Sequence, residues 1–135
     1  MITIRDYLDT DYEDLKINLL EGNLFNPDLD TRETLQRKIE KNPGSIIIGG
    51  IDNHAIGNVY IVEDVWTSFI FRLAVRKQYR NMGIGAMLLN EAEERLRGKG
   101  VNEVSLFIRE NELESLGVYY KKNGYKPMEW KHQLM

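Results

Sequence analysis

The sequence predicts a single α/β domain in which a mixed, mostly antiparallel sheet carries helices on both faces. Three observations predict it. Short β-branched and aromatic runs alternate with amphipathic stretches in the order β-α-α-β-β-β-α-β-α-β. One junction is a hairpin, which makes antiparallel neighbours, whereas others place a helix between strands and so allow crossovers. The length of 135 residues, with 42% hydrophobic and 29% charged, suits one globular domain over 1–135 with a buried sheet.

Ile2-Thr3-Ile4 alternates and opens the chain as a strand. Thr10 or Asp11 caps a helix through about Leu20, with Tyr12, Leu15, Leu19 and Leu20 on its apolar side. A loop from Gly22 to Asp30 carries Pro27. Asp30 or Thr31 caps a second helix that ends before Pro43, with Leu35 and Ile39 one turn apart. Ser45 to Gly50 and Ala55 to Val62 form a hairpin around Asp52-Asn53-His54. Trp66 to Val75 has the longest strand signal, and Tyr60, Trp66, Phe69 and Phe71 read as core or sheet-face packing.

Gly83 to about Lys99 is a helix with the stripe Ile84, Leu88, Leu89, Ala92 and Leu96. Glu91–Arg95 and Glu93–Arg97 sit four apart on its wet side, and Gly98 and Gly100 stop it. Val104 to Ile108 reads as a buried strand, Leu113 to Asn123 as a helix closed by Gly124, and Lys126 to Met135 as a last strand.

Bulk chemistry narrows the function. The net charge of −3 and absence of a basic stripe argue against a nucleic-acid partner. No cysteine is present, so thiolate nucleophiles, disulfides and Cys-based zinc sites are excluded. His54 and His132 make no ligand-spaced pair, so no metal is expected, and both read as surface residues. No apolar run reaches the roughly 18 residues of a membrane helix, and the first residues lack a signal-peptide core, so a cytoplasmic protein without a membrane partner is expected. Homodimerisation is left open.

The chemistry concentrates where the Trp66–Val75 run meets the next helix. Two glycines, Gly83 and Gly85, lie one residue apart at a helix start. Glycine lets backbone approach a ligand, and the first amides of a helix have no internal partner. With the helix dipole they make a site for phosphate. Arg76, Lys77 and Arg80 add cations in an otherwise acidic chain. A dinucleotide fingerprint is absent because Leu88 stands where its third glycine belongs, and no Gly-Lys-Ser/Thr occurs.

Val75-Arg76-Lys77-Gln78-Tyr79-Arg80-Asn81-Met82-Gly83-Ile84-Gly85 resembles the coenzyme-A loop of the GNAT N-acetyltransferases, Arg/Gln-x-x-Gly-x-Gly/Ala after a strand. Gly98-Lys99-Gly100-Val101 is similar to the segment after that family's central helix, and Tyr120-Lys121-Lys122-Asn123-Gly124-Tyr125 to its Tyr-x-x-x-Gly-Phe/Tyr signature. The order of elements matches a GNAT-like fold over nearly the whole chain. The resemblance implies an acetyl-CoA-dependent N-acetyltransferase with acetyl-CoA as cosubstrate and an amine acceptor as partner. It implies that Leu73, Ala74 and Val75 lend backbone groups to the pantetheine arm. Asn81, Met82, Gly83, Ile84, Gly85 and Ala86 would hold the pyrophosphate, with Arg80 at the motif's first position.

The signature tyrosine is implied to protonate or stabilise the leaving thiolate, and counting back from Gly124 gives Tyr120. The family's Asn about seven residues earlier points less clearly: Asn111 is nearer that spacing from Tyr119, so Tyr119 stays an alternative. Lys77 replaces a frequent proline. The family's acceptor site lies beside the first two helices, which makes Asn23 to Asp28, with Phe25 and Asn26, a candidate specificity loop.

Direct attack by an amine on the thioester first requires a neutral amine. That costs roughly 4–5 kcal/mol for a lysine side chain at pH 7 and roughly 1 kcal/mol for an α-amino group. No base declares itself: Ser68-Phe69-Ile70-Phe71-Arg72 has no carboxylate, which leaves Glu63, Asp64, Glu110 or water. A backbone amide near Val75 is implied as the oxyanion donor. Arg72 interrupts an apolar strand on the face of Ile70 and Ala74, to bind an acidic substrate group or to pair with a carboxylate. A non-catalytic coenzyme-A-binding sensor or interaction module is the alternative function.

Overall fold

The structure, a computed structural model, describes residues 1–107 and 113–126. Strands β1 (Thr3–Asp6), β2 (Ile46–Ile51), β3 (His54–Glu63) and β4 (Ser68–Val75) form one antiparallel sheet in the order β1-β2-β3-β4. Helices α1 (Tyr12–Glu21) and α2 (Arg32–Lys41) follow β1, α3 (Ile84–Gly98) follows β4, and α4 (Leu113–Lys122) comes last. The alternation of the sheet sorts the core into two layers. Ile46, Ile48, Ala55, Tyr60 and Ala74 pack with Leu15 and Leu19 of α1 and Leu35 of α2. Ile47, Ile56, Val59, Ile61 and Ile70 face the other way, against Ile84, Leu88, Leu89, Ala92 and Leu96 of α3. Tyr120 and Tyr125 join this second layer. Each Leu or Ile so buried contributes about 1.5–3 kcal/mol.

Local chemistry explains the boundaries. Thr31 caps α2, its hydroxyl accepting from the Thr34 amide at 3.1 Å. Asp11 lies at the start of α1 but does not cap that helix with its side chain; it binds the Arg5 guanidinium at 2.7 and 2.8 Å and accepts from the Leu8 amide at 2.8 Å. Asp52 and Asn53 both take positive φ in the two-residue β2–β3 turn, as a hairpin of that length favours.

Several expectations need correction. Leu20 is exposed, because the inward stripe of α1 is Leu15, Asn18 and Leu19. The strand expected from Trp66 begins at Ser68: the Asp64 carboxylate accepts from the amides of Trp66 and Thr67, both at 2.8 Å, and this turn leaves Trp66 90% exposed. Glu91 pairs with Arg95 at 2.9 Å as expected, but Arg97 turns to Glu94, while Glu93 accepts from the Tyr125 hydroxyl. The expected strand from Val104 reduces, among the described residues, to one parallel bridge between Ser105 and Phe69. The expected last strand beyond Lys126, with His132, lies outside the described residues, as do Ile108, Glu110 and Asn111.

Candidate functional site

The turn after β4 is a short 3-10 turn (Lys77–Tyr79) followed by an irregular stretch into α3. Asn81 has φ +64° and Gly83 φ +80°, left-handed conformations that turn successive amides to one side. Gly83 occupies the capping position of α3 and no side chain caps it. The first bond of the helix runs from the Met87 amide to the Gly83 carbonyl. Among the described residues, none of the amides from Asn81 to Ala86 has an acceptor. Arg80 flanks them, its guanidinium donating to the carbonyls of Val75 at 2.9 Å and Glu21 at 3.4 Å. Arg76 does not join Arg80 as a cation at the turn. It points inward to Asn18 Oδ1 at 3.0 Å and to the carbonyl and carboxylate of Asp14.

The strand leading into the turn has an unusual edge. Its inner edge pairs with β3 from Glu63↔Ser68 to Gly57↔Val75, with one irregularity. On its outer edge the Ile70 amide donates to Ser105 at 3.0 Å and the Ser105 amide to Ser68 at 3.1 Å, and among the described residues pairing stops there. Just beyond, β4 bulges: Tyr60 pairs with Phe71 but Asn58 with Ala74, so β4 carries one extra residue. Arg72 within the bulge has φ +53°. Leu73, Ala74 and Val75 thus lie along an edge with no neighbouring strand among the described residues, ending at the row of unaccepted amides.

Polar side chains support the bulge from the α1/α2 side. Asn58 Nδ2 donates to the Arg72 carbonyl at 2.9 Å, and Asn18 Nδ2 donates to Asn58 Oδ1 at 3.1 Å. The Arg72 guanidinium grips both oxygens of Asp30, at 2.9 and 3.2 Å. Asn18 and Asn58 are 0% exposed and Asp30 3%. The carboxylate pairing foreseen for Arg72 is therefore realised, with Asp30. Asp30 also accepts from the Asn26 amide at 2.7 Å, which fixes the end of the loop after α1.

The two adjacent tyrosines of α4 occupy different places. The Tyr119 hydroxyl rests against Gly85, 2.8 Å from where a Cβ would stand. It is buried without a partner among the described residues, and burial raises its pKa. The Tyr120 ring packs in the second core layer, edge-on to Tyr119 and Tyr125. Their different surroundings come from the roughly 100° that a helix turns per residue.

Three carboxylates near β4, Asp14, Asp30 and Asp64, are engaged. Asp14 accepts from Arg76, the Ala55 amide and His54. Asp64 closes its own turn, and the Thr67 and Trp66 amides hold its pKa below the usual range. Glu63 lies at the end of β3 opposite Ser68. On the α1/α2 face, Lys38 lies over the Phe71 ring at 5.2 Å and donates to the Ile61 carbonyl, and burial draws its amine down to about 8. Asn18, Asn58, Asp30 and Lys38 escaped sequence reasoning. Only Asn18 carried a usable signal, a polar residue on the inward stripe with Leu15 and Leu19. Among the described residues no group of His, Cys, Asp and Glu could hold a metal ion, and no helix is long and apolar enough to cross a membrane.

An open strand edge thus runs into unaccepted helix-start amides, with a tyrosine hydroxyl over the second glycine. The chain belongs to the GNAT acetyltransferase family, whose pattern it matches over residues 4–125. It is 23% identical over 118 residues to an acetyltransferase of Yersinia pestis, covering 87% of this chain and 84% of that protein. An acetyltransferase of Pectobacterium atrosepticum is 26% identical over 119 residues, with the same coverage. Among solved structures, Ard1 from Thermoplasma volcanium superposes with a TM-score of 0.83 at 20% identity, over 95% of this chain and 84% of that one. The PaiA N-acetyltransferase from Thermoplasma acidophilum, solved in complex with coenzyme A, gives 0.78 at 22% identity, over 93% and 90%.

Proposed function

We propose that this protein transfers the acetyl group of acetyl-CoA to a primary amine, by direct attack in a ternary complex. The observation that carries this is the unbroken row of unaccepted amides from Asn81 to Ala86 at the end of the open β4 edge. Pyrophosphate would accept from those amides, where the α3 dipole also favours an anion. Arg80 borders them. Leu73, Ala74 and Val75 would offer backbone groups to the pantetheine arm, and the Val75 carbonyl is already shared with Arg80. Acetyl-CoA supplies an activated acyl carbon and a thiolate leaving group.

The two tyrosines divide the remaining work. Tyr120 donates a proton to the departing thiolate. Tyr119, whose hydroxyl lacks a partner against Gly85 among the described residues, gains one when the donor lies in the turn. The acceptor is a protein N-terminus, a lysine or a small-molecule amine. Asp14, Asp30 and Asp64 are committed to other bonds, so the amine's proton leaves to water, directly or by way of Glu63 or Glu110. That route suits an α-amino group, which gives up its proton for roughly 1 kcal/mol at pH 7, better than a lysine at roughly 4–5 kcal/mol.

Calorimetry with acetyl-CoA, and thiol release across a panel of amines, test the proposal. Tyr120→Phe should lower turnover about 10- to 100-fold while acetyl-CoA affinity holds. Tyr119→Phe should weaken affinity more than turnover. If Tyr119→Phe instead carries the turnover loss, the proton donor is Tyr119. Tight coenzyme binding with no amine-dependent thiol release would make the protein a coenzyme-A-binding sensor rather than an enzyme.

A further inference from the structure

A left-handed residue inside β4 sets the shape of the edge that receives the donor. Arg72 has a Cβ, so φ +53° is a conformation its own backbone disfavours. It persists only where neighbours over-determine it. Two neighbours do so. Asn58 Nδ2 holds the Arg72 carbonyl at 2.9 Å, and Asp30 holds the Arg72 guanidinium through two bonds. Backbone and side chain of one strained residue are thus gripped separately, by β3 and by the loop after α1. Asn58 is itself fixed by Asn18 of α1, and Asn18 by Arg76 at the far end of β4. The bulge they enforce falls just past Ile70, where outer-edge pairing with Ser105 ends among the described residues, and just before Leu73.

We propose that Asp30 and Asn58 are positioning residues: they clamp Arg72 in the left-handed conformation, and this keeps the Leu73–Val75 edge of β4 turned out to receive the acetyl donor. The inference deepens the acetyl-CoA assignment and rests on it. A consequence follows from Asp30 also accepting from the Asn26 amide. The loop that borders the acceptor side and the strand that receives the donor share one carboxylate, so displacing one displaces the other.

Glycine adopts positive φ without a clamp, which gives a test that a merely structural role would not pass. Acetyl-CoA affinity is measured by calorimetry for Asp30→Ala and Asn58→Ser, each alone and combined with Arg72→Gly, with thermal melting to confirm the folded state. Each single variant should weaken affinity about tenfold. Each double variant should recover to within about threefold of the parent, because a glycine in place of Arg72 holds the bulge unaided. Doubles as weak as their singles would overturn the clamp. If the parent protein binds no acetyl-CoA, the functional assignment fails on its own. The clamp is then read by amide hydrogen exchange at Ala74, which pairs with Asn58 just beyond the bulge. Exchange there should quicken at least about tenfold in Asp30→Ala and return on adding Arg72→Gly. Exchange equal in all variants would sink it.

Discussion

Two polar regions meet at β4, and they solve opposite problems. At its C-terminal end, the amides from Asn81 to Ala86 have no acceptor among the described residues. Behind its middle, Asn18, Asn58, Arg72, Asp30 and Arg76 are mostly or fully buried and bonded to one another. Donors left open at the surface cost little, because water serves them until a ligand arrives. Buried polar groups have no such recourse and must satisfy one another within the fold. The first region is therefore open to a ligand, as proposed, and the second holds still. They are joined through Arg76, which looks like a third phosphate cation in the sequence and is spent on the buried side.

The largest effect should come from corrupting the open region. Gly83→Glu puts a carboxylate among the amides proposed to hold phosphate. A side chain there meets open space, so the only structural cost is the left-handed backbone at φ +80°, about 1 kcal/mol. Acetyl-CoA affinity should fall by about 100-fold or more, while the melting temperature drops only a few degrees. Unchanged affinity in calorimetry would mean that the phosphate site lies elsewhere. Asn18→Leu should do the reverse. It removes two donated bonds and strands the Arg76 Nε and Asn58 Oδ1 partners. The expected cost is about 3 kcal/mol, read as a melting temperature lower by about 10 °C. A neutral result would mean that water replaces the amide and that the network is not closed.

These regions also differ in how far the sequence discloses them. The binding turn is local: strand, two glycines and helix start lie within a dozen residues, and a helix start needs no tertiary partner to expose its amides. The α3 stripe is legible for the same reason, since periodicity alone places Ile84, Leu88, Leu89, Ala92 and Leu96 inside. The holding network is assembled from α1, the loop after it, β3 and β4. Asn58 and Arg72 are 14 apart in sequence, and Arg72 and Asp30 are 42 apart. No spacing rule links such residues, so Asp30 passed for a helix cap and Asn58 for nothing. Trp66 misled for a related reason. Its aromatic bulk reads as strand, but one carboxylate, Asp64, closes the turn that exposes it.

The smallest expected effect tests where the holding network meets acid. Asp14 is partly buried, which alone would raise its pKa, but the bonds from Arg76, the Ala55 amide and His54 outweigh burial and leave it lowered. A carboxylate whose pKa is lower folded than unfolded stabilises the fold while it is ionised. The contribution is thus fully present above the ordinary value of 3.8 and is lost as pH falls below that, through the folded value. Asp14→Asn keeps the shape and removes the titration. Its melting temperature should lie below the parent's at pH 7, and the gap should narrow as the pH approaches about 2. A gap that stays constant over that range would show that Arg76 is held by Asn18 and the backbone carbonyls without help from the Asp14 charge. Gly83→Ala supplies the control: neither it nor its parent carries a carboxylate at the turn, so their gap in stability should not change over the same range.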